Sequence, residues 1–86
     1  MKPYRMLIAA SADKELAGLP ALVRQRIIDK FDEIGKDPRG TDSKNLDDKI
    51  HRVRVGDYRI VYEVRDTEKT VVVTRVRHRR EVYRRR

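Results

Sequence analysis

The sequence predicts an α+β fold in which two N-terminal helices pack on one face of a small antiparallel β-sheet, in the order β-α-α-β-β-β. Three observations carry this expectation. Val23, Ile27, Phe31 and Ile34 recur at spacings of four, four and three, the apolar stripe of an amphipathic helix. "IHRVRV" and "YRIVYEVR" alternate with the period of two of a half-buried strand, and the Gly56-Asp57 pair between them suits a two-residue hairpin turn. "TVVVTRVRHR" adds a further β-rich run, so helices come first and strands gather behind them.

The elements follow in order. "YRMLIA", Tyr4 to Ala9, is a short apolar run that reads as a first strand. Ser11 offers an N-cap to the first helix, with Asp13 and Glu15 where a helix N-terminus favours acid. Leu16 and Leu19 begin its apolar stripe, which Gly18 and Pro20 interrupt, and Pro20 suits the first turn of a second helix. "GKDPRG" ends that helix, and the polar segment Lys36 to Lys49 reads as a loop pinned by Leu46 as a buried anchor. Strands over Ile50 to Val55 and Tyr58 to Arg65 follow, then the polar turn "DTEK". The last strand is apolar on both faces at its start, which suits a central strand covered on both sides. Val53, Val55, Tyr58, Ile60 and Tyr62 share the face that the helices need, and Arg52, Arg54 and Arg59 fall on the open face beside Val61 and Glu63.

Eighty-six residues suit a single domain over 1–86, with 80–86 as a basic tail. There are no cysteines, which excludes disulfides and thiolate metal sites and suits a reducing compartment. No apolar run approaches the roughly 20 residues of a membrane span, and "MKPYRMLIAASADKEL" lacks the apolar segment of a signal peptide. A cytoplasmic location is expected.

The net charge of +8 is unevenly placed: residues 1–49 hold ten Lys/Arg against nine Asp/Glu, whereas residues 50–86 hold twelve against five. Arginine outnumbers lysine fifteen to seven, which favours forked recognition of phosphate over simple solubilisation. If the hairpin closes at Gly56-Asp57, Arg54 sits directly opposite Arg59, a like-charge pair that costs a few tenths of a kcal/mol to about one. The last strand repeats the pattern with Arg75, Arg77 and Arg79. A face with few acids and converging arginines expects a polyanion, or an acidic protein that covers the same surface.

Other constellations are sparse. His51 and His78 have no metal-ligand spacing and are read as structural, and no metal or cofactor is expected. Tyr58 and Tyr62 read as core, whereas Tyr83 lies in the charged tail, where stacking on a nucleobase competes with a bland surface role. There is no Gly-rich phosphate loop, no carboxylate pair in a plausible pocket and no nucleophile with a base beside it.

"HRVRVGDYRIVYEV" followed by "VVVTRVRHRREVYR" resembles the RelE/ParE toxin superfamily of type II toxin–antitoxin systems, with "GDYRIVYEV" and "HRREVYR" the most specific parts. The resemblance implies the RelE-like microbial RNase fold and, for the RelE branch, a ribosome-dependent endoribonuclease (mRNA interferase). Such an enzyme cleaves mRNA in the A site of the 70S ribosome by 2′-OH attack on phosphate and so inhibits translation. It implies catalytic roles for Arg52, Arg54, Arg59, Arg79 and Tyr83, and RNA contacts from Arg52, Arg54, Arg59, Arg75, Arg77 and Arg79. Arg59 and Arg79 would hold the phosphate, with Arg77 an alternative for the role of Arg79, and Tyr83 would stack on or orient a base. Some relatives carry lysine where Arg52 and Arg54 stand, and arginine is never neutral enough to act as a general base. Catalysis by charge alone, a base supplied by Tyr83 or a histidine, and reduced activity all stay open. The implied partner is a RelB-like acidic antitoxin in a heteromeric complex, besides mRNA and ribosomal RNA. The other branch, ParE-like, inhibits DNA gyrase without an RNase site, and a non-catalytic basic RNA-binding module is a third reading.

Overall fold

The computed structural model describes residues 3–40, 43–46 and 49–78. Within them the chain runs β1 (Arg5–Ile8), α1 (Ala10–Ala17), α2 (Ala21–Lys36), β2 (Lys44–Asn45), β3 (Ile50–Val55), β4 (Tyr58–Arg65) and β5 (Thr70–His78). The α+β order and the two helices on one face agree with the sequence pattern. The strands form one sheet in the order β1-β5-β4-β3-β2. It is mixed rather than purely antiparallel, because β1 runs parallel to β5, from Arg5 opposite Thr70 to Ile8 opposite Val73. Tight turns enforce antiparallel pairing only between consecutive strands; both helices separate β1 from the rest, and so long a connection permits a parallel neighbour.

The helix side of the sheet and the apolar stripes of the helices make the core. Leu16, Ile27, Phe31 and Ile34 pack against Val53, Ile60, Tyr62, Val64, Val71, Val73 and Val76, with Val23, Val55 and Tyr58 at its margin. Each fully buried Val, Ile or Phe contributes about 1.5–3 kcal/mol relative to exposure. Gly35 near the end of α2 lets β1 pass close by: a Cβ there would meet the Tyr4 carbonyl and Met6 Cγ at 3.4 Å, and the Tyr4 N–H donates to the Gly35 carbonyl at 2.8 Å.

Four local expectations are corrected. Ser11 lies inside α1, whose N-cap is Ala9, and its hydroxyl donates to the Thr74 carbonyl instead. Pro20 is the N-cap of α2 rather than a residue of its first turn. Leu46 is 49% exposed, so its side chain is no buried anchor; the segment is held through its backbone, by β2, which pairs Lys44 with Arg52 and Asn45 with His51, and by the Leu46 N–H donating to the Ile50 carbonyl at 2.8 Å. β5 is central, between β1 and β4, but helix covers only one of its faces, and Val72 on the other stays half-buried.

The segment before β2 is fastened from its two flanks. The Tyr62 hydroxyl donates to the Pro38 carbonyl at 2.6 Å, and Arg39 forms a forked pair with Asp66 in the β4–β5 turn, at 3.0 and 2.8 Å. Tyr4 donates to the same carboxylate at 2.7 Å. Arg39, then Tyr4, hold the Asp66 carboxyl below the usual carboxylate range, and Asp66 in return raises the Tyr4 hydroxyl.

Candidate functional site

The turn that closes β3 on β4 places Val55 opposite Tyr58 and Arg54 opposite Arg59, the register that the sequence predicts. Gly56 takes φ +58°, a conformation that a side chain disfavours. β5 extends the row, because Arg77 lies opposite Arg59. Arg54, Arg59 and Arg77 therefore stand side by side across three strands on the face away from the helices, spanning two strand spacings of ~4.8 Å. The next row is Arg75, Val61 and Arg52, and beyond it Leu7, Val72, Glu63 and Ile50 adjoin one another. The open face is thus banded: basic toward the Gly56 turn, largely apolar across the Leu7, Val72 and Ile50 row, and polar again at Arg5, Thr70 and Arg65 beside the β4–β5 turn.

Exposure within the basic part is uneven. Arg54 is exposed and Arg52 half-buried, but Arg59 is only 5% exposed, against the expectation that it stands open. It occupies the central strand of the three, with Arg54 opposite it on one side and Arg77 on the other.

The face is also less free of acid than the local sequence suggests. Glu15 on α1 reaches β5, where one carboxylate oxygen accepts the Val76 N–H at 2.7 Å. The other accepts Arg77 Nε at 2.9 Å and Arg75 Nη1 at 3.1 Å. β1 pairs with β5 only as far as Val73, and α1 takes over that edge beyond it. The sequence did contain a signal for this. Ala12, Glu15, Leu16 and Leu19 fall at i, i+3, i+4 and i+7, so Glu15 is a carboxylate in the apolar stripe of α1.

Beside this clamp lies an open cleft of about 510 Å³ lined by Lys14, Leu19, Tyr58, Arg77 and His78 among others. His78 meets Tyr58 edge-to-face at 5.1 Å and shares the helix-side parity of Tyr58 and Val76, not that of the arginine row. His51 is farther away and structural. It is 4% exposed, stacked on Tyr62 at 5.7 Å, and bonded to Ser43 Oγ at 3.1 Å and Asn45 Nδ2 at 3.4 Å. Burial, then the charge of Arg39, lowers its pKa and keeps the ring neutral. Arg79 and Tyr83 lie outside the described residues, so the row is defined here by Arg52, Arg54, Arg59, Arg75 and Arg77.

Comparison with known proteins follows the same outline. Residues 6–83 match the family model described as the ParE toxin of the type II toxin–antitoxin system parDE. The chain is 30% identical to Toxin RelG of Mycobacterium tuberculosis, over 96% of its own length and 99% of that protein's. Similar solved structures include the toxin–antitoxin complex RelBE2 of M. tuberculosis (28% identity, 91% and 93% of the two chains covered, TM-score 0.81). The isolated E. coli RelE toxin is another (29% identity, 93% and 90% covered, TM-score 0.79). A match across nearly the whole chain, with the two helices and the sheet superposable on RelE structures, leaves one conclusion: the chain belongs to the RelE/ParE superfamily of type II toxin–antitoxin toxins.

Proposed function

We propose that this toxin is a ribosome-dependent endoribonuclease that cuts mRNA in the ribosomal A site and thereby arrests translation. The observation that supports this reading best is the row Arg54, Arg59 and Arg77, three like charges adjacent across β3, β4 and β5. Like charges placed opposite one another weaken a sheet by a few tenths of a kcal/mol to about one per pair, an effect that Glu15 offsets at Arg77, and converging guanidinium groups suit a surface shaped for a phosphodiester. In the reaction a ribose 2′-hydroxyl gives up its proton to a base or to solvent as its oxygen attacks the adjacent phosphorus, and the bond to the 5′-oxygen breaks. The products are a 2′,3′-cyclic phosphate and a 5′-hydroxyl, which takes up a proton as it leaves. Arg59, with Arg79 or Arg77, holds the phosphate and stabilises its developing charge, while Arg52 and Arg54 guide the strand. His51 is enclosed on the helix side and His78 faces away from the row, so neither serves as the base. Tyr83 fills that role or stacks on a nucleobase; otherwise charge alone carries the rate.

The protein partner is an acidic RelB-like antitoxin that covers the basic face. The similar structures from M. tuberculosis and Methanococcus jannaschii are themselves toxin–antitoxin complexes. Inhibition of DNA gyrase without RNase activity is the second reading, favoured by the parDE description of the matching family model. Expressing the protein with translating ribosomes and mapping mRNA 5′ ends separates the two. Cuts confined to the A-site codon are the expected result. Intact messages accompanied by DNA breakage overturn the RNase reading in favour of gyrase, and RNA binding without cleavage or growth arrest leaves a basic binding module.

A further inference from the structure

We infer that Glu15 is a positioning residue for the phosphate-binding arginines: its carboxylate holds Arg77 and Arg75 in the orientation in which they meet RNA, while cancelling one unit of the charge that attracts it. The inference rests on the RNase reading above and deepens it. Its basis is the division of labour within one carboxylate. Oε1 is taken by the Val76 backbone N–H at 2.7 Å, which fixes the group whether or not an arginine is present. Oε2 is then left to be shared by Arg77 Nε at 2.9 Å and Arg75 Nη1 at 3.1 Å. Arg77 is gripped by its inner nitrogen, so the N–H groups at the tip of its fork remain available to a phosphate.

The support for Glu15 is rigid. α1 is tied to β5 by Ser11 Oγ donating to the Thr74 carbonyl at 2.8 Å and by the Ala9 N–H donating to the Val73 carbonyl at 2.8 Å. Ala12 and Leu16, which flank Glu15 on the same helix face, are buried. Arg75 and Arg77 keep 47% and 39% of their side chains exposed, against 22% for Glu15. The clamp therefore sits at the border between core and basic face, with the carboxylate inside and the guanidinium groups outside. Two like-charged side chains on one strand face would otherwise sample many rotamers, and an arginine has much rotamer freedom to lose. Holding them in advance favours the transition state, whereas the negative charge weakens the initial attraction for RNA.

These two effects have opposite signs, which makes the assignment testable. Glu15→Gln keeps an oxygen for the Val76 N–H and nearly the same shape, but puts an NH₂ where the arginines need an acceptor. Affinity is read with a fluorescein-labelled single-stranded RNA over a salt series, and the chemical step by single-turnover cleavage of ribosome-bound mRNA. We expect Glu15→Gln to bind the RNA several-fold more tightly, with a salt slope steeper by about 0.7. Cleavage at saturation should be about 10- to 100-fold slower. Glu15→Ala, which also uncaps β5, should show the same split on top of a lower Tm. Binding and cleavage that fall together in proportion to the folded fraction, or cleavage that stays at the wild-type rate, overturns the positioning role and leaves the RNase reading standing. Wild-type protein that neither binds nor cuts RNA overturns that reading and this assignment with it.

Discussion

Arg59 combines two properties that rarely meet: a charged side chain on a sheet face that helices leave uncovered, and an exposure of only 5%. A side chain so far buried contributes through its aliphatic stem, so Arg59→Ala would remove packing as well as charge. Arg59→Met keeps the stem. It is expected to reduce mRNA cleavage by about 10²- to 10³-fold, the usual effect of removing one group that stabilises developing charge. Tm should stay within a few degrees; a large drop in Tm would make Arg59 a structural residue instead. His51 offers a different test. Because burial lowers its pKa, the unfolded chain binds a proton between the ordinary value near 6.5 and the lower folded value, while the native protein does not. Stability is therefore complete above pH ~6.5 and declines as pH falls through that window. Thermal melts from pH 7 to 5 should show the decline in the wild type and lose this component in His51→Gln. Asp66, whose pKa is held down by Arg39 and Tyr4, loses its contribution only at still lower pH, so the two titrations are separable.

At the scale of elements, the β3–β4 hairpin sets the site because it alone brings Arg54 against Arg59. Its turn depends on Gly56 at φ +58°, where nothing crowds the missing Cβ, so the penalty of a side chain there is conformational rather than steric. Gly56→Ala is expected to destabilise the fold by about 1 kcal/mol through the left-handed conformation. The same change should lower cleavage more than it lowers Tm, since a shifted turn misaligns the first two arginines of the row. Denaturation midpoints and single-turnover rates measured on the same preparation check this, and an unchanged midpoint would show that the turn adapts without strain. A second element acts through its edge: α1 closes the part of β5 that β1 leaves open, which turns a helix into the neighbour of a strand.

At the scale of the molecule, the buried apolar residues among those described run from Ala12 on α1 to Val76 on β5, and the charged segment 80–86 has little apolar area to add to them. Truncation after Arg80 is expected to give a folded protein that still binds an acidic antitoxin but no longer cleaves mRNA, because Tyr83 goes with the tail. Circular dichroism melts, antitoxin co-purification and 5′-end mapping together test it. Full toxicity in the truncated protein would remove Tyr83 from the site. The charge distribution supports the same separation of stability from function. The excess of twelve basic over five acidic residues falls in 50–86, whereas the helices that complete the core belong to a nearly neutral half.

The sequence by itself determined the class of fold, the hairpin and the opposition of Arg54 to Arg59, since periodicity and turn chemistry are local and a two-residue turn leaves one register. It also marked the core stripe of α2, whose four apolar positions can share a helix face in only one way. Tertiary structure decided what local rules leave open. β1 became a parallel neighbour of β5, Leu46 stayed exposed where a short strand did the anchoring, and Ser11 turned to a carbonyl of β5 instead of capping its helix. It also decided the burial of Arg59 and the partnership of Glu15 with Arg75 and Arg77, residues 60 and 62 positions away along the chain. A side chain's partners across such distances depend on how a helix lies over a strand edge, and that is set by the packing of the whole core rather than by any stretch of sequence.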